Sequence, residues 1–145
     1  MLDLGVGTGL VGQAVSDAWY KRGKWAQEQQ QNSSPSTRDA PLQVVGVDIA
    51  NKMIQKAAER AGIYARIDRR EIVDWLNERG FEPNVVHDGV ARGGSRAGGC
   101  SQVQFVVSGD VFVYFASLMP VLSAIAAILP PGGFASFTTE VNLFI

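Results

Sequence analysis

Short runs of consecutive apolar residues alternate along this chain with stretches in which apolar residues recur every three or four positions. That alternation is expected of buried strands separated by amphipathic helices. Residues 1–4 form the first run and lead into Gly5-Val6-Gly7-Thr8-Gly9. Leu10, Val11, Ala14, Val15, Ala18 and Trp19 then follow helical spacing and predict a helix with one buried face. Val44-Val45-Gly46-Val47-Asp48 reads as a second strand. Asn51 is placed to cap the next helix, which aligns Met53, Ile54, Ala57, Ala58 and Ala61. Residues 65–70 make a weak third strand, followed by a short helix carrying Ile72, Val73, Trp75 and Leu76. Phe105-Val106-Val107 is the fourth strand and stops at Ser108-Gly109-Asp110. Ser117 is the expected cap of a helix with Pro120 in its first turn and Leu118, Val121, Leu122, Ile125, Ile128 and Leu129 on one side. Pro130-Pro131-Gly132-Gly133 ends that helix, and residues 134–138 supply a fifth strand.

Regular alternation of strand and helix predicts one α/β domain over residues 1–145, a doubly wound parallel sheet with right-handed crossovers. Two stretches, 21–43 and 77–104, lack apolar periodicity and read as flexible insertions; the second contains Gly93-Gly94-Ser95-Arg96-Ala97-Gly98-Gly99. The first strand begins at the first residue and the chain stops soon after the fifth, so a truncated domain is expected.

Composition narrows the possible partners. Thirteen Lys and Arg against 14 Asp and Glu give a net charge of −1, without the clustered basic excess that nucleic acid or an anionic membrane surface calls for. The apolar stretch 121–129 is too short to span a bilayer. No targeting segment opens the sequence, which makes a cytoplasmic location the default expectation. A single cysteine, Cys100, excludes an internal disulfide framework, and a single histidine, His87, leaves too few soft ligands for zinc. Both lie in a patternless stretch, and neither is assigned a catalytic role.

The placement of the glycines carries the functional signal. A glycine-rich turn between a first strand and a helix lets the backbone approach a ligand, with helix N–H groups facing a negative charge. Gly7-Thr8-Gly9-Leu10-Val11-Gly12 satisfies the G-x-G-x-x-G pattern of dinucleotide sites. Asp3-Leu4-Gly5-Val6-Gly7-Thr8-Gly9 satisfies the acid-x-G-x-G-x-G pattern of S-adenosylmethionine sites. Asp3 favours the second, because a carboxylate there can hold a cationic amino group, directly or through water, but would repel a pyrophosphate. Asp48, ending the second strand, can accept both ribose hydroxyls of either ligand. Glu71 is placed to accept from an adenine amino group, and Asp110 ends the fourth strand. These acids and the glycine loop all fall at the carboxyl edge of the expected sheet, where open α/β folds bind ligands.

Asp3 to Leu10, together with Val45-Gly46-Val47-Asp48-Ile49-Ala50-Asn51-Lys52-Met53-Ile54, resembles the class I S-adenosylmethionine-dependent methyltransferases. The likeness is to small methyltransferase domains of the kind attached to TPR repeats (the type 11 and 12 domains), and it extends through 64–76, 106–114 and 129–133. It implies a Rossmann-like sheet of about five strands in order 3-2-1-4-5, with S-adenosylmethionine as cofactor. By position, Gly5, Gly7 and Gly9 become the cofactor loop, with Asp3 at the amino group and Asp48, followed by Ile49, at the ribose. Met53 and Glu71 then lie beside adenine, and Asp110 lines the methyl-donor pocket. Arg69 and Arg70 stand where the family has small or apolar residues, which makes Asp68 a rival to Glu71. The family's leading helix and terminal antiparallel strand pair have no counterpart in the pattern. The segment after the fourth strand reads Ser108-Gly109-Asp110-Val111 rather than Asn/Asp-Pro-Pro-Tyr, which points to a small-molecule methyl acceptor, with a protein side chain second. A non-catalytic module of the same fold and an NAD(P)-linked oxidoreductase are the competing readings. No catalytic base and no oligomeric state is assigned.

Overall fold

The computed structural model describes residues 1–29, 42–78 and 103–140. Strand β1 (Leu2–Leu4) leads through the glycine loop into helix α1 (Leu10–Gln29). There follow β2 (Val44–Asp48), α2 (Asn51–Ala58), β3 (Tyr64–Arg69) and α3 (Ile72–Glu78). After these come β4 (Phe105–Ser108), a 3-10 turn (Phe112–Tyr114), α4 (Met119–Ile128) and β5 (Phe134–Phe137). The five strands form one sheet in the order β3-β2-β1-β4-β5, and every pairing is parallel. The chain therefore reverses direction across the sheet on either side of β1, the point at which a crevice opens beyond the carboxyl ends of the strands.

Period-two alternation divides β1 between two environments. Leu2 and Leu4, each with no exposed surface, join Val47, Val106, Trp75, Leu76, Val121 and Ile125 in the core beneath α3 and α4. Asp3 is equally buried on the opposite face, where its register partner on β2 is Gly46. Trp75 is held in place as well as buried, since its indole Nε1 donates to Asp68 Oδ2 at 2.7 Å. Phe112 stacks on Phe137 at 4.6 Å and meets Phe115 edge-on at 5.8 Å, which fixes the 3-10 turn that the apolar pattern did not show.

Several local expectations are corrected. Helix α1 continues to Gln29, nine residues into the stretch read as an insertion; apart from Gly23 and Trp25, residues 21–29 are good helix formers, and they carry no apolar stripe. Residues 30–41 and 79–102 of the two expected insertions lie outside the described residues, with His87, Arg92, Arg96 and Cys100 among them. Nor does α1 bury one apolar face: Leu10 is 62 % and Trp19 45 % exposed, and among residues 10–24 the buried position is Gly12. Ala50, not Asn51, is the N-cap of α2, because Asp48 Oδ1 already accepts from the Ala50 N–H at 2.7 Å. Leu118, not Ser117, precedes α4 and brings no side-chain cap, although Pro120 does sit in the first turn.

Leu4 lies in the central strand, and its carbonyl also accepts from the Ser108 hydroxyl at 2.9 Å. Leu4→Ala is expected to lower unfolding free energy by about 2–5 kcal/mol in urea titration, as a core cavity with little room to collapse should. A loss below about 1 kcal/mol would show that β1 is not the centre of the packing.

Candidate functional site

Gly5, Gly7 and Gly9 all adopt positive φ, at 72°, 53° and 79°. The loop they form is anchored from β2: the Gly5 N–H donates to the Val47 carbonyl at 2.7 Å, and the Gly9 N–H closes a turn on the Val6 carbonyl at 2.9 Å. Gly5 admits no side chain, because a Cβ there would lie 2.0 Å from a methyl of Val111. The segment after β4 thus packs directly on the loop after β1, and glycine is required by contact as well as by φ.

Asp48 is the loop's main polar anchor. Its Oδ2 accepts from the Gly7 N–H at 2.8 Å, while Oδ1 accepts from the Ala50 N–H at the start of α2. One carboxylate at the end of β2 therefore fixes the loop after β1 and the helix after β2 together. Each oxygen keeps a second lone pair with which to accept from a ligand. Ile49 and Met53 flank it and are 66 % and 41 % exposed, an apolar surface beside a charged acceptor at the carboxyl edge. From the loop's α2 side, Arg60 Nε donates to the Thr8 carbonyl at 2.6 Å.

Asp3 is placed differently. It has no exposed surface and lies beneath the loop rather than at the open edge. The Tyr64 hydroxyl donates to its Oδ2 at 2.7 Å, and the Gly12 N–H of the first turn of α1 is a further donor to the carboxylate. Oδ1 is buried without a partner. Burial raises the Asp3 carboxyl to about 6, and the charge of Asp48 adds to the rise; the bonds from Tyr64 and Gly12 act against it. The Tyr64 hydroxyl is pushed up in turn, by its own burial and by the Asp3 charge beside it.

The remaining candidates divide between exposed and structural positions. Glu71 sits just before α3 at the edge, and its Oε2 accepts from the Asp74 N–H at 2.8 Å, so one of its oxygens caps the helix. Its rival Asp68 is occupied within the protein by Trp75 and by Arg66, whose Nε lies 3.1 Å from Oδ1. Asp110, exposed and at φ 54°, is tied across to the end of β5: its N–H donates to Thr138 Oγ1 at 2.7 Å, and that hydroxyl donates back to Asp110 Oδ1 at 3.0 Å. Tyr114, 84 % exposed, projects from the 3-10 turn that follows. The edge thus gathers the glycine loop, Asp48, Ile49, Met53, Glu71 and Asp110, and leaves Asp3 beneath it. Sequence reading did not single out Tyr64 or Thr138. Gly12 entered only as the last glycine of the dinucleotide pattern, and its smallness here serves helix-on-sheet packing.

The raised pKa of Asp3 gives a stability prediction. The folded chain holds this proton more tightly than the unfolded chain, whose carboxyl titrates near 3.8, so the stabilisation is full below that pH and lost as pH rises through about 6. The stabilisation lost over that interval is roughly 3 kcal/mol. Asp3→Asn should accordingly gain stability relative to the unsubstituted chain between pH 4 and 7, read from denaturation midpoints across that range. A difference that stays flat with pH would refute the assignment.

No protein-family model and no curated protein matches the sequence. Solved structures do match. An S-adenosylmethionine-dependent methyltransferase from Mesorhizobium loti is 19 % identical and aligns over 96 % of this chain with a TM-score of 0.52. A putative S-adenosylmethionine-dependent methyltransferase from Listeria monocytogenes is 18 % identical and aligns over 94 % with a TM-score of 0.53. The chain spans 45 % of the length of each. What is shared at this identity is architecture: five parallel strands in the order 3-2-1-4-5 with helices between them give this chain the α/β, Rossmann-like fold of the S-adenosylmethionine-dependent methyltransferases.

Proposed function

We propose that the carboxyl edge of this sheet binds S-adenosylmethionine and that the chain forms the donor side of a methyltransferase acting on a small molecule. The observation that carries this reading is the Asp48 carboxylate bonded to Gly7 at the centre of the glycine loop, with Ile49 and Met53 exposed beside it. The residues suit the cofactor's chemistry. Asp48 can accept from the ribose hydroxyls, Ile49 and Met53 offer apolar surface to adenine, and the second oxygen of Glu71 can accept from the adenine amino group. Beneath the loop, the unpartnered Asp3 Oδ1 is a buried acceptor suited to a cationic amino group.

Bound S-adenosylmethionine would supply a methyl group on a positively charged sulfur. The chain's part is positional. The glycine loop admits the ligand against the backbone, Asp48 sets the ribose in register, and the β4 segment with Asp110 and exposed Tyr114 borders the side from which an acceptor would approach. A small acceptor accords with a net charge of −1, which disfavours nucleic acid. No helix among the described residues is long and apolar enough to cross a membrane.

Calorimetric titration of the full chain with S-adenosylhomocysteine, with NAD as comparator, tests the reading. Binding of S-adenosylhomocysteine without NAD binding is expected. Asp48→Ala should weaken it by roughly 100-fold, the scale of two charge-assisted hydrogen bonds. NAD binding in preference would transfer the site to a dinucleotide, and no binding by the folded chain would remove the cofactor assignment.

A further inference from the structure

We propose that Tyr64 is a positioning residue for this site: it holds the Asp3 carboxylate against the first turn of α1, so that Oδ1 is the oxygen left for the cationic end of a ligand. The proposal deepens the cofactor reading above and rests on it for the ligand's identity. Three observations converge on Tyr64. Its hydroxyl reaches from β3, across β2, to Asp3 Oδ2 on β1, a bond spanning 61 residues of sequence. Its ring fills a slot between two glycines: a Cβ on Gly46 of β2 would lie 3.2 Å from the ring, and one on Gly12 of α1 would lie 2.3 Å from the hydroxyl. The same oxygen, Oδ2, lies against α1, where a Cβ on Gly12 would be 3.1 Å from it.

Packing alone does not call for this hydroxyl. Phenylalanine would fill the slot between Gly12 and Gly46, and an apolar residue at position 3 would spare the sheet a buried carboxylate, a replacement that is often stabilising. What the polar pair adds is direction. With Oδ2 engaged by the Tyr64 hydroxyl and set against Gly12, the carboxylate is held in orientation, and its unpartnered oxygen is Oδ1, two residues before the loop. The charged groups around the pair are Asp48 on β2, which opposes the Asp3 charge, and Arg60 after α2, whose charge acts on Tyr64 and whose Nε holds the Thr8 carbonyl.

The test is Tyr64→Phe in the full chain, with two ligands and one ligand-free signal. Affinity for S-adenosylhomocysteine should fall roughly tenfold, the scale of one hydrogen bond to a charged group. Affinity for methylthioadenosine, which lacks the amino-acid end, should be unchanged. By NMR, the Gly12 amide should titrate with a midpoint near 6 in the unsubstituted chain and at higher pH in the variant. Equal affinity for S-adenosylhomocysteine in both chains overturns the proposal, as does an equal loss for the two ligands, which would mark a packing role only. If the folded unsubstituted chain binds neither ligand, the cofactor reading fails by itself, and an unmoved Gly12 midpoint in Tyr64→Phe then overturns the positioning role separately. Should Tyr64→Phe not fold, Asp3→Asn decides: the Gly12 titration should vanish in it, and its persistence would overturn the proposal.

Discussion

The site depends on one arrangement: carboxylates from neighbouring strands brace a single glycine loop and the helix it opens. Asp48 takes the Gly7 N–H from β2, and Asp3 on β1, held by the Tyr64 hydroxyl, lies against Gly12 at the start of α1. The loop carries three glycines at positive φ, Gly5, Gly7 and Gly9, a conformation that other residues adopt only at a cost. A loop so shaped holds one form only if something outside it supplies the missing constraint. Backbone bonds from Gly5 and Val6 to the Val47 carbonyl supply part, and the two acids supply the rest.

The demands on the two acids differ. Asp48 is 9 % exposed and lies at the sheet's edge, where the start of α2 shares its charge. Asp3 lies on the face opposite the main core, where water does not reach and Asp48 opposes its charge. Burial pushes its carboxyl up toward neutrality, and protein donors reach only one of its oxygens to offset that.

Much of this was legible in the sequence because its signals are local. Continuous β-branched runs marked β2 and β4, glycine spacing marked the loop, and acids at strand ends followed from strand polarity. The strand order came from the family resemblance, since nothing in local spacing distinguishes 3-2-1-4-5 from other doubly wound orders. What escaped was of two kinds. Helix α1 runs past its apolar pattern on helix propensity, which a search for a buried stripe does not register. Tyr64, Thr138 and the Phe112 ring owe their positions to partners 61, 28 and 25 residues away, pairings that no spacing rule contains.

The buried position of Asp3 shows where motif reading stops. The acid before the glycines is legible as a residue, but whether it faces a ligand or the interior is set by Gly12 and Gly46. Their lack of side chains lets α1 settle onto the sheet with a tyrosine between them. With larger residues at these two positions, Tyr64 would be displaced, and Asp3 would lose a donor and gain solvent. The same acid-x-G-x-G-x-G string could then present an exposed acid. Whether the motif's first acid meets a ligand is therefore decided by two glycines and an aromatic ring, of which only Gly46 and Tyr64 lie outside the loop and the helix it opens.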